Sequence, residues 1–486
     1  MWPAFSGLLR KVWESLVKLF PSHIIIEHMP ARHSILRKDL PEHLGERSLG
    51  VFPECLTHGL PKTAGLVYEE LPEDFMDPEI AYELLHQELN GDTHPQFNLA
   101  TFVSTYMEPE VTQLIAEKLP KNFVDSKAYP SSSQIEARCL RILANMYHAP
   151  WGGDAHPVGV STVGSSEAIM LAVLALKAKW AIRRGSSLLT KPARPNLIIS
   201  SVAQVCWKKA ARYFDVDVQY VPCTDNRFVL DPLLAINLAN DNTIGICCIL
   251  GTTYTGEYED IKAVNDLLVE RGLNIPIHVD AASGGFVAPF ISPDLEWDFR
   301  LERVSSINVS GHKYGFVYAG IGWALWRSRD ELPNDLIFQL SYLGATQASF
   351  TLNFSKSSAH IIAQYYQFIR LGRMGYRSSL QRIIAVASYL TRSLKEIGLL
   401  VLSRADGVHG IPVVAFRLNP KHKLGFDEFF LARELENKGW LVPAYTMADG
   451  AADIILMRVV CRMDFTLALC EHFVEDVRSI LRKLCI

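Results

Sequence analysis

N-I-P-I-H-V-D-A-A-S-G-G-F-V-A-P-F, residues 274–290, and S-I-N-V-S-G-H-K-Y, residues 306–314, decide how this sequence is read. The first is an apolar strand that delivers one carboxylate, Asp280, into a run of small residues, Ala281 to Gly285. The second is another apolar strand, ending on Ser310, Gly311, His312 and Lys313. Taken singly these residues are ordinary: a strand-end Asp often caps a turn, and a lone Lys is usually a solvated charge. Together, with the lysine inside S-G-H-K between apolar segments, they form a pair with a chemical purpose.

An acid at one strand end and a lysine at another is what pyridoxal phosphate needs. The lysine amine forms a Schiff base with the aldehyde, and the carboxylate keeps the pyridine nitrogen protonated so that the ring draws in electrons. Ser310 and His312 flank the lysine and are placed to hold the phosphate. A second anion site is expected at Gly164, Ser165 and Ser166, where V-G-V-S-T-V-G-S-S-E-A opens a long helix. Free N–H groups and the helix dipole favour negative charge there, although a plain serine N-cap explains that segment equally well.

Short apolar strands alternate with helices outward from this centre, near 196–200, 216–221, 243–250, 275–280, 306–310 and 322–326. Such alternation predicts an α/β layer with a mostly parallel sheet, whose ligands sit beyond the carboxyl ends of the strands. Thr253, Asp280 and Lys313 all fall there. Three parts are expected. Residues 1–70 are an N-terminal helix and extended arm, and 71–355 a large domain with 71–130 as its leading segment. Residues 356–486 are a smaller C-terminal α/β domain. The helical pattern of residues 1 to about 22 admits a membrane-surface helix, but packing on the body of the enzyme or on a partner subunit is the plainer reading.

With 48 basic and 52 acidic residues the net charge is −4, and no basic block stands out to neutralise phosphates. A general nucleic-acid binder is excluded on that ground. Hydrophobic residues at 49% and charged ones at 21% are usual for a globular enzyme. The nine cysteines show no C-x-x-C pair and no zinc spacing. They suit a reducing compartment, so a cytoplasmic location and no metal are expected. No apolar run approaches the ~18 residues that a membrane span needs.

From about Leu71 onward the sequence resembles the pyridoxal-phosphate-dependent glutamate decarboxylases of bacteria, plants and fungi, in the group II decarboxylases of fold type I. The motifs that carry the likeness are N-L-A-T-F (98–102), G-S-S-E-A (164–168), Q-V-C-W (204–207), H-V-D-A-A-S-G-G-F (278–286), S-I-N-V-S-G-H-K-Y-G (306–315), T-L-N-F-S-K (351–356) and M-R-V-V-C-R (457–462). The resemblance implies a large domain with a mostly parallel, seven-stranded sheet flanked by helices, and a homodimer or higher homo-oligomer with shared active sites. It implies Lys313, Asp280 and His312 as the catalytic set. Gln204 and Ala282 would lie on the two faces of the cofactor ring and Thr253 near its phenolic oxygen. Ser165, Ser166, Ser310 and His312 would hold its phosphate, with Phe354 and Ser355 donated by the neighbouring subunit. It further implies Arg458 at the substrate α-carboxylate, and Thr101, Phe102 and Asp125 at the side-chain carboxylate.

The expected reaction is conversion of L-glutamate to 4-aminobutanoate and carbon dioxide. The alternative is a decarboxylase, or a carbanion-using biosynthetic enzyme, for another acidic or modified amino acid. The long N-terminal arm and T-Q-A-S-F at 346–350 depart from relatives and leave room for it. A substrate carboxylate beside Asp125 would repel its charged form, which predicts tighter binding at mildly acidic pH. The sequence ends at Ile486 without the calmodulin-binding tail of plant members or the His-bearing tail of bacterial ones, so neither form of control is expected.

Overall fold

A computed structural model describes residues 69–151, 156–185, 194–340, 347–421 and 425–484. The expected N-terminal helix and most of the arm lie outside the described residues. The chain divides into two compact units, Met1–Glu88 and Leu89–Ile486. The described part of the first is largely helix α1 (Pro78–Leu89), in which no residue is buried.

The second unit is built on a seven-stranded sheet. Its strands are β1 (Val158–Thr162), β2 (Asn196–Ser200), β3 (Asp217–Val221), β4 (Thr243–Ile249), β5 (Ile277–Asp280), β6 (Val304–Val309) and β7 (Gly322–Trp326), in the spatial order β1-β7-β6-β5-β4-β2-β3. From β6 to β3 all neighbours are parallel; β7 runs antiparallel to both β6 and β1. The helices before and between these strands are α2 (Pro109–Lys118), α3 (Pro130–Met146), α4 (Ser165–Arg183), α5 (Val205–Tyr213), α6 (Pro232–Leu238), α7 (Ile261–Glu270) and the short α8 (Ala288–Ile291).

Strand residues alternate between the two faces of the sheet. Leu197, Ile199 and Cys247 pack with Ile169, Val173 and Trp207 of α4 and α5. Ile198, Ile246 and Cys248 join the main core with Ile236, Val264 and Leu268 of α6 and α7. Burial on both faces is why β4 reads as a largely apolar run rather than an alternating one. Caps set the helix starts: Asp231 accepts from the N–H groups of Leu233 and Leu234, and Asp260 from that of Ala263.

Beyond a two-stranded ribbon, β8 (Phe338–Leu340) and β9 (Gln347–Ser349), the helical stretch α9 (Ala359–Glu396) crosses the unit. It consists of two helices that meet at a kink at Gly372, whose φ of 56° and ψ of −173° no helix allows. A second sheet follows, of β10 (Leu400–Val401), β11 (Val413–Arg417), β12 (Ala444–Thr446) and β13 (Ile455–Val460), in the order β10-β11-β13-β12 and antiparallel throughout. It is backed by α10 (Glu428–Glu436) and α11 (Leu467–Leu484), the latter burying Phe473, Val477 and Ile480. Among the described residues no helix is long and apolar enough to cross a membrane, and all seven cysteines are buried and unpaired.

The loop after β5 touches the end of β4 at Gly284, whose N–H donates to Leu250 O at 2.9 Å. A Cβ at this position would stand 2.4 Å from that carbonyl. Gly284→Ala must therefore push two strand ends apart. It is expected to destabilise the chain by about 1–3 kcal/mol, seen as a lower Tm in a thermal melt.

Candidate active site

Parallel strands β4, β5 and β6 release their loops at one edge of the sheet, and the polar side chains collect there. Asp280, the last residue of β5, is buried and receives three hydrogen bonds. Trp207 Nε1 donates to Oδ2 at 2.9 Å, while Asn308 Nδ2 at 2.9 Å and the Ala282 N–H at 3.2 Å donate to Oδ1. Three donors fix the carboxylate's rotation.

Lys313 follows β6 and brings its ammonium to 3.1 Å from Ser283 Oγ, over the ring of Phe102 at 5.1 Å. Loss of solvent lowers its pKa; Asp280 and Cys206 work against that shift, and Arg458 adds to it. A neutral, nucleophilic amine is thus brought closer to physiological pH.

Ser165, the first residue of α4, meets Ser310 hydroxyl to hydroxyl at 2.6 Å. His312 lies against the same turn, so close that a Cβ on Gly164 would come within 2.9 Å of its Cε1. Its Nδ1 is buried without a hydrogen-bond partner. Burial, with Lys313 and His360 adding to it, brings its pKa down to about 4. Helix N–H groups, two hydroxyls and an unsatisfied imidazole nitrogen form a cradle that an anion would complete. Ser166 is exposed beside it.

The opposite wall is the segment 98–105. Arg458, on β13 and buried, donates Nη2 to Ala100 O at 2.9 Å and Nη1 to Thr253 O. Its guanidinium lies 4.7 Å from the Phe102 ring centre and 5.5 Å from that of Tyr445, and its Nε has no partner. Ser104 ties this wall to the lysine loop, its N–H reaching His312 O and its hydroxyl Lys313 O, both at 2.8 Å. Thr101 Oγ1 accepts from the Val103 N–H. Gln204 spends its Oε1 on the N–H of Cys206, capping α5, and Ala282 O accepts from Ser310 N.

The structure thus brings together Lys313, Asp280, Ala282, Ser310, His312, Ser165, Thr253, Phe102 and Arg458. Asp125 and Ser355 are both tied to Asn122, and Phe354 precedes Ser355 in the chain. Asn122 Nδ2 donates to Ser355 Oγ at 3.4 Å, Asn122 O accepts from Asp125 N, and Phe123 N donates to Lys356 O. Glu167 seats that loop near α4, its Oε1 accepting from the N–H groups of Leu352 and Asn353 and its Oε2 from that of Val163.

The pyridoxal-dependent decarboxylase conserved domain matches residues 73–419. The chain belongs to the pyridoxal-dependent decarboxylase family. This decarboxylase is 49% identical over 420 residues to the glutamate decarboxylase of Solanum lycopersicum, covering 85% of this chain and 82% of the relative. It is 43% identical to glutamate decarboxylase beta of Listeria monocytogenes over 85% of this chain and 89% of that one. Among solved structures, a Lactobacillus brevis glutamate decarboxylase superposes with a TM-score of 0.82 at 40% identity, over 86% of this chain and 96% of that one. A sphingosine-1-phosphate lyase of Burkholderia pseudomallei, at TM-score 0.73 and 21% identity, shares the fold over 89% and 94% of the two chains.

The decarboxylase also uses residues that the sequence left without a role. Trp207 on α5 and Asn308 on β6 find their purpose only in Asp280, to which both donate. Arg462, four residues beyond Arg458, is buried and gathers the segment 95–105. It donates to Asn98 O at 2.8 Å, Thr101 O at 3.1 Å, Pro95 O at 3.3 Å and Thr105 Oγ1 at 3.1 Å, with Asp464 at 3.5 Å as its counter-ion. Arg462→Gln leaves Asp464 and these carbonyls short of donors. We expect a stability loss of about 3 kcal/mol in denaturant unfolding, with a substrate KM that rises more than kcat falls.

Proposed function

We propose that this chain removes the α-carboxyl group of L-glutamate, giving 4-aminobutanoate and carbon dioxide. The observation that carries the reading is the convergence of Lys313, Asp280 and Arg458 on one pocket, in a chain close in sequence to glutamate decarboxylases of plants and bacteria. Pyridoxal phosphate is the cofactor of the family, and the unsatisfied His312 beside paired serines at a helix start fits its phosphate. The cofactor, when bound, supplies a sink for the electron pair left at Cα as carbon dioxide departs.

In this reading Ser165, Ser166, Ser310 and His312 hold the phosphate, Asp280 meets the ring nitrogen, and Gln204 and Ala282 bound the ring's two faces. Thr253 lies near the phenolic oxygen, and Lys313 is the covalent anchor. Arg458 takes the substrate α-carboxylate. Two of its N–H groups are already fixed by backbone carbonyls, so the guanidinium cannot swing and the bond to be broken is held in one direction. Thr101 and Phe102 receive the side-chain carboxylate together with Asp125.

We further propose a homodimer in which Phe354 and Ser355 serve the neighbouring copy's pocket. The exposure of Leu352 and Phe354, 48% and 43%, supports it. A cytoplasmic location is proposed from the unpaired cysteines.

Carbon dioxide release by the purified protein with added cofactor, measured across the twenty amino acids, tests the assignment. Release from glutamate is expected, with Lys313→Ala at least 10³-fold slower, on the scale of losing an essential nucleophile. Cofactor binding without release from any of the twenty would move the substrate to a modified amino acid. A second expectation concerns pH. Two carboxylates sharing a site bind best when one proton lies between them, so kcat/KM for glutamate rises from pH 7 to pH 5, and Asp125→Asn flattens that rise. A profile equally steep in the variant sinks the assignment of Asp125.

A further inference from the structure

Behind Asp280 the two central strands carry polar side chains where apolar ones would be cheaper to bury. His278 lies two residues before Asp280 on β5, and Ser306 lies two before Asn308 on β6, so all four point to one face of the sheet. The register sets His278 opposite Ser306 and Asp280 opposite Asn308. His278 and Asn308 are wholly buried and Ser306 nearly so. His278 Nδ1 lies 2.7 Å from Ser306 Oγ, His278 Nε2 lies 2.7 Å from Asn308 Oδ1, and Asn308 Nδ2 donates to Asp280 Oδ1 at 2.9 Å.

The direction of every proton in this line follows from its last member. An ionised carboxylate only accepts, so the Asn308 amide must turn its NH2 to Asp280 and its oxygen to His278. That oxygen also only accepts, so the proton of the neutral ring sits on Nε2, and Nδ1 accepts from the Ser306 hydroxyl. Burial lowers the pKa of His278, which keeps it neutral and the line intact. Trp207 closes the other side, its indole N–H on Asp280 Oδ2 and its ring edge-on to the imidazole at 5.4 Å.

We propose that His278 and Asn308 are positioning residues for Asp280, setting the rotation of its carboxylate so that it faces the ring nitrogen of the cofactor. This rests on the reading of Asp280 given above. A buried polar line left partly unsatisfied would weaken the sheet; here every member is paired and the line ends on the one carboxylate that needs a fixed orientation. Residues acting behind a ligand in this way typically change its affinity 10–100-fold.

The test is equilibrium binding of pyridoxal phosphate to the apoprotein, together with the absorbance of the bound cofactor from pH 5 to pH 9. The groups whose charge bears on Asp280 are Lys313, His278, Cys206, Cys247 and Glu259, so each variant is compared with the parent over the whole range. His278→Leu, which fills the space but carries no hydrogen bonds, is expected to weaken cofactor binding about tenfold and to move the midpoint of the spectral transition. His278→Gln can donate to Asn308 and accept from Ser306, and is expected to recover most of both. Should the leucine variant fail to fold, Ser306→Ala removes only the far end of the line and is expected to shift the same midpoint by a smaller amount.

Parent-like affinity and spectrum in His278→Leu would overturn the proposal, as would a glutamine variant no better than leucine, since that pattern belongs to packing alone. An unmoved midpoint in Ser306→Ala would also count against it. Asp280→Asn separates the two readings. If it loses cofactor while His278→Leu does not, only the positioning role falls. If it too binds as the parent does, the assignment of Asp280 falls and takes the positioning role with it.

Discussion

A carboxylate and an amine buried at neighbouring strand ends are the constraint on which the rest of this structure depends. Removing an ion from water costs several kcal/mol unless partners replace the lost hydration. Asp280 is compensated by three hydrogen bonds and Lys313 by Ser283, by the Phe102 ring and by Asp280 itself. Those partners come from β5, β6, α5 and the segment near residue 102. The parallel order of the central strands matters because it releases all their loops at one edge of the sheet. Small residues from Ala281 to Gly285 matter because the loop that holds Ser283 must pass within hydrogen-bonding distance of the end of β4.

Around that pair the pocket is assembled from parts with different degrees of fixation. The floor is sheet and cannot move without breaking strand pairing. The wall formed by residues 98–105 has no regular ladder of its own, and its position is enforced by two arginines from the small sheet. Arg462 holds its backbone at several carbonyls, while Arg458 holds Ala100 and at the same time faces the pocket. Val460 N–H donates to Leu99 O, which places β13 and this wall in one hydrogen-bonded assembly. The third part, residues 352–356, is seated by Glu167 and Lys356 near the start of α4.

Much of this was legible in the sequence, for reasons that also explain the gaps. The central strands and the hydroxyl-lined turn at the start of α4 were visible because apolar runs, small residues and helix starts are local signals. The edge strand β1 was not recognised as a strand. V-G-V-S-T is short, runs directly into the glycine-serine turn, and depends on close approach to β7, where a Cβ on Gly159 would meet Ala324 O at 2.7 Å. The kink that divides α9 into two helices rests on one glycine, Gly372, whose φ of 56° a side chain would disfavour. Trp207, Asn308, His278 and Arg462 could not be assigned, since their purpose lies in contacts across strands or across hundreds of residues. The partner of Arg462 at Asn98 is 364 positions away.

The geometry also bears on why one carboxylate of a dicarboxylic substrate would be lost and not the other. Lys313 and Arg458 share the same ring, the ammonium 5.1 Å and the guanidinium 4.7 Å from the centre of Phe102. Phe102 therefore acts as a spacer between the group that would anchor the cofactor and the group that would grip the leaving carboxylate. Tyr445 packs the guanidinium from its own side and is itself fixed by a hydrogen bond from its hydroxyl to Tyr254 O at 3.0 Å. An arginine clamped in this way offers its free N–H edge in one direction only. On the proposed reading, a carboxylate one carbon from the amine reaches both that edge and the lysine's end of the pocket. The side-chain carboxylate, two methylenes further out, is carried beyond Phe102 toward Thr101. Selectivity would then follow from the fixed placement of Lys313 and Arg458 about one aromatic ring rather than from any single charged contact.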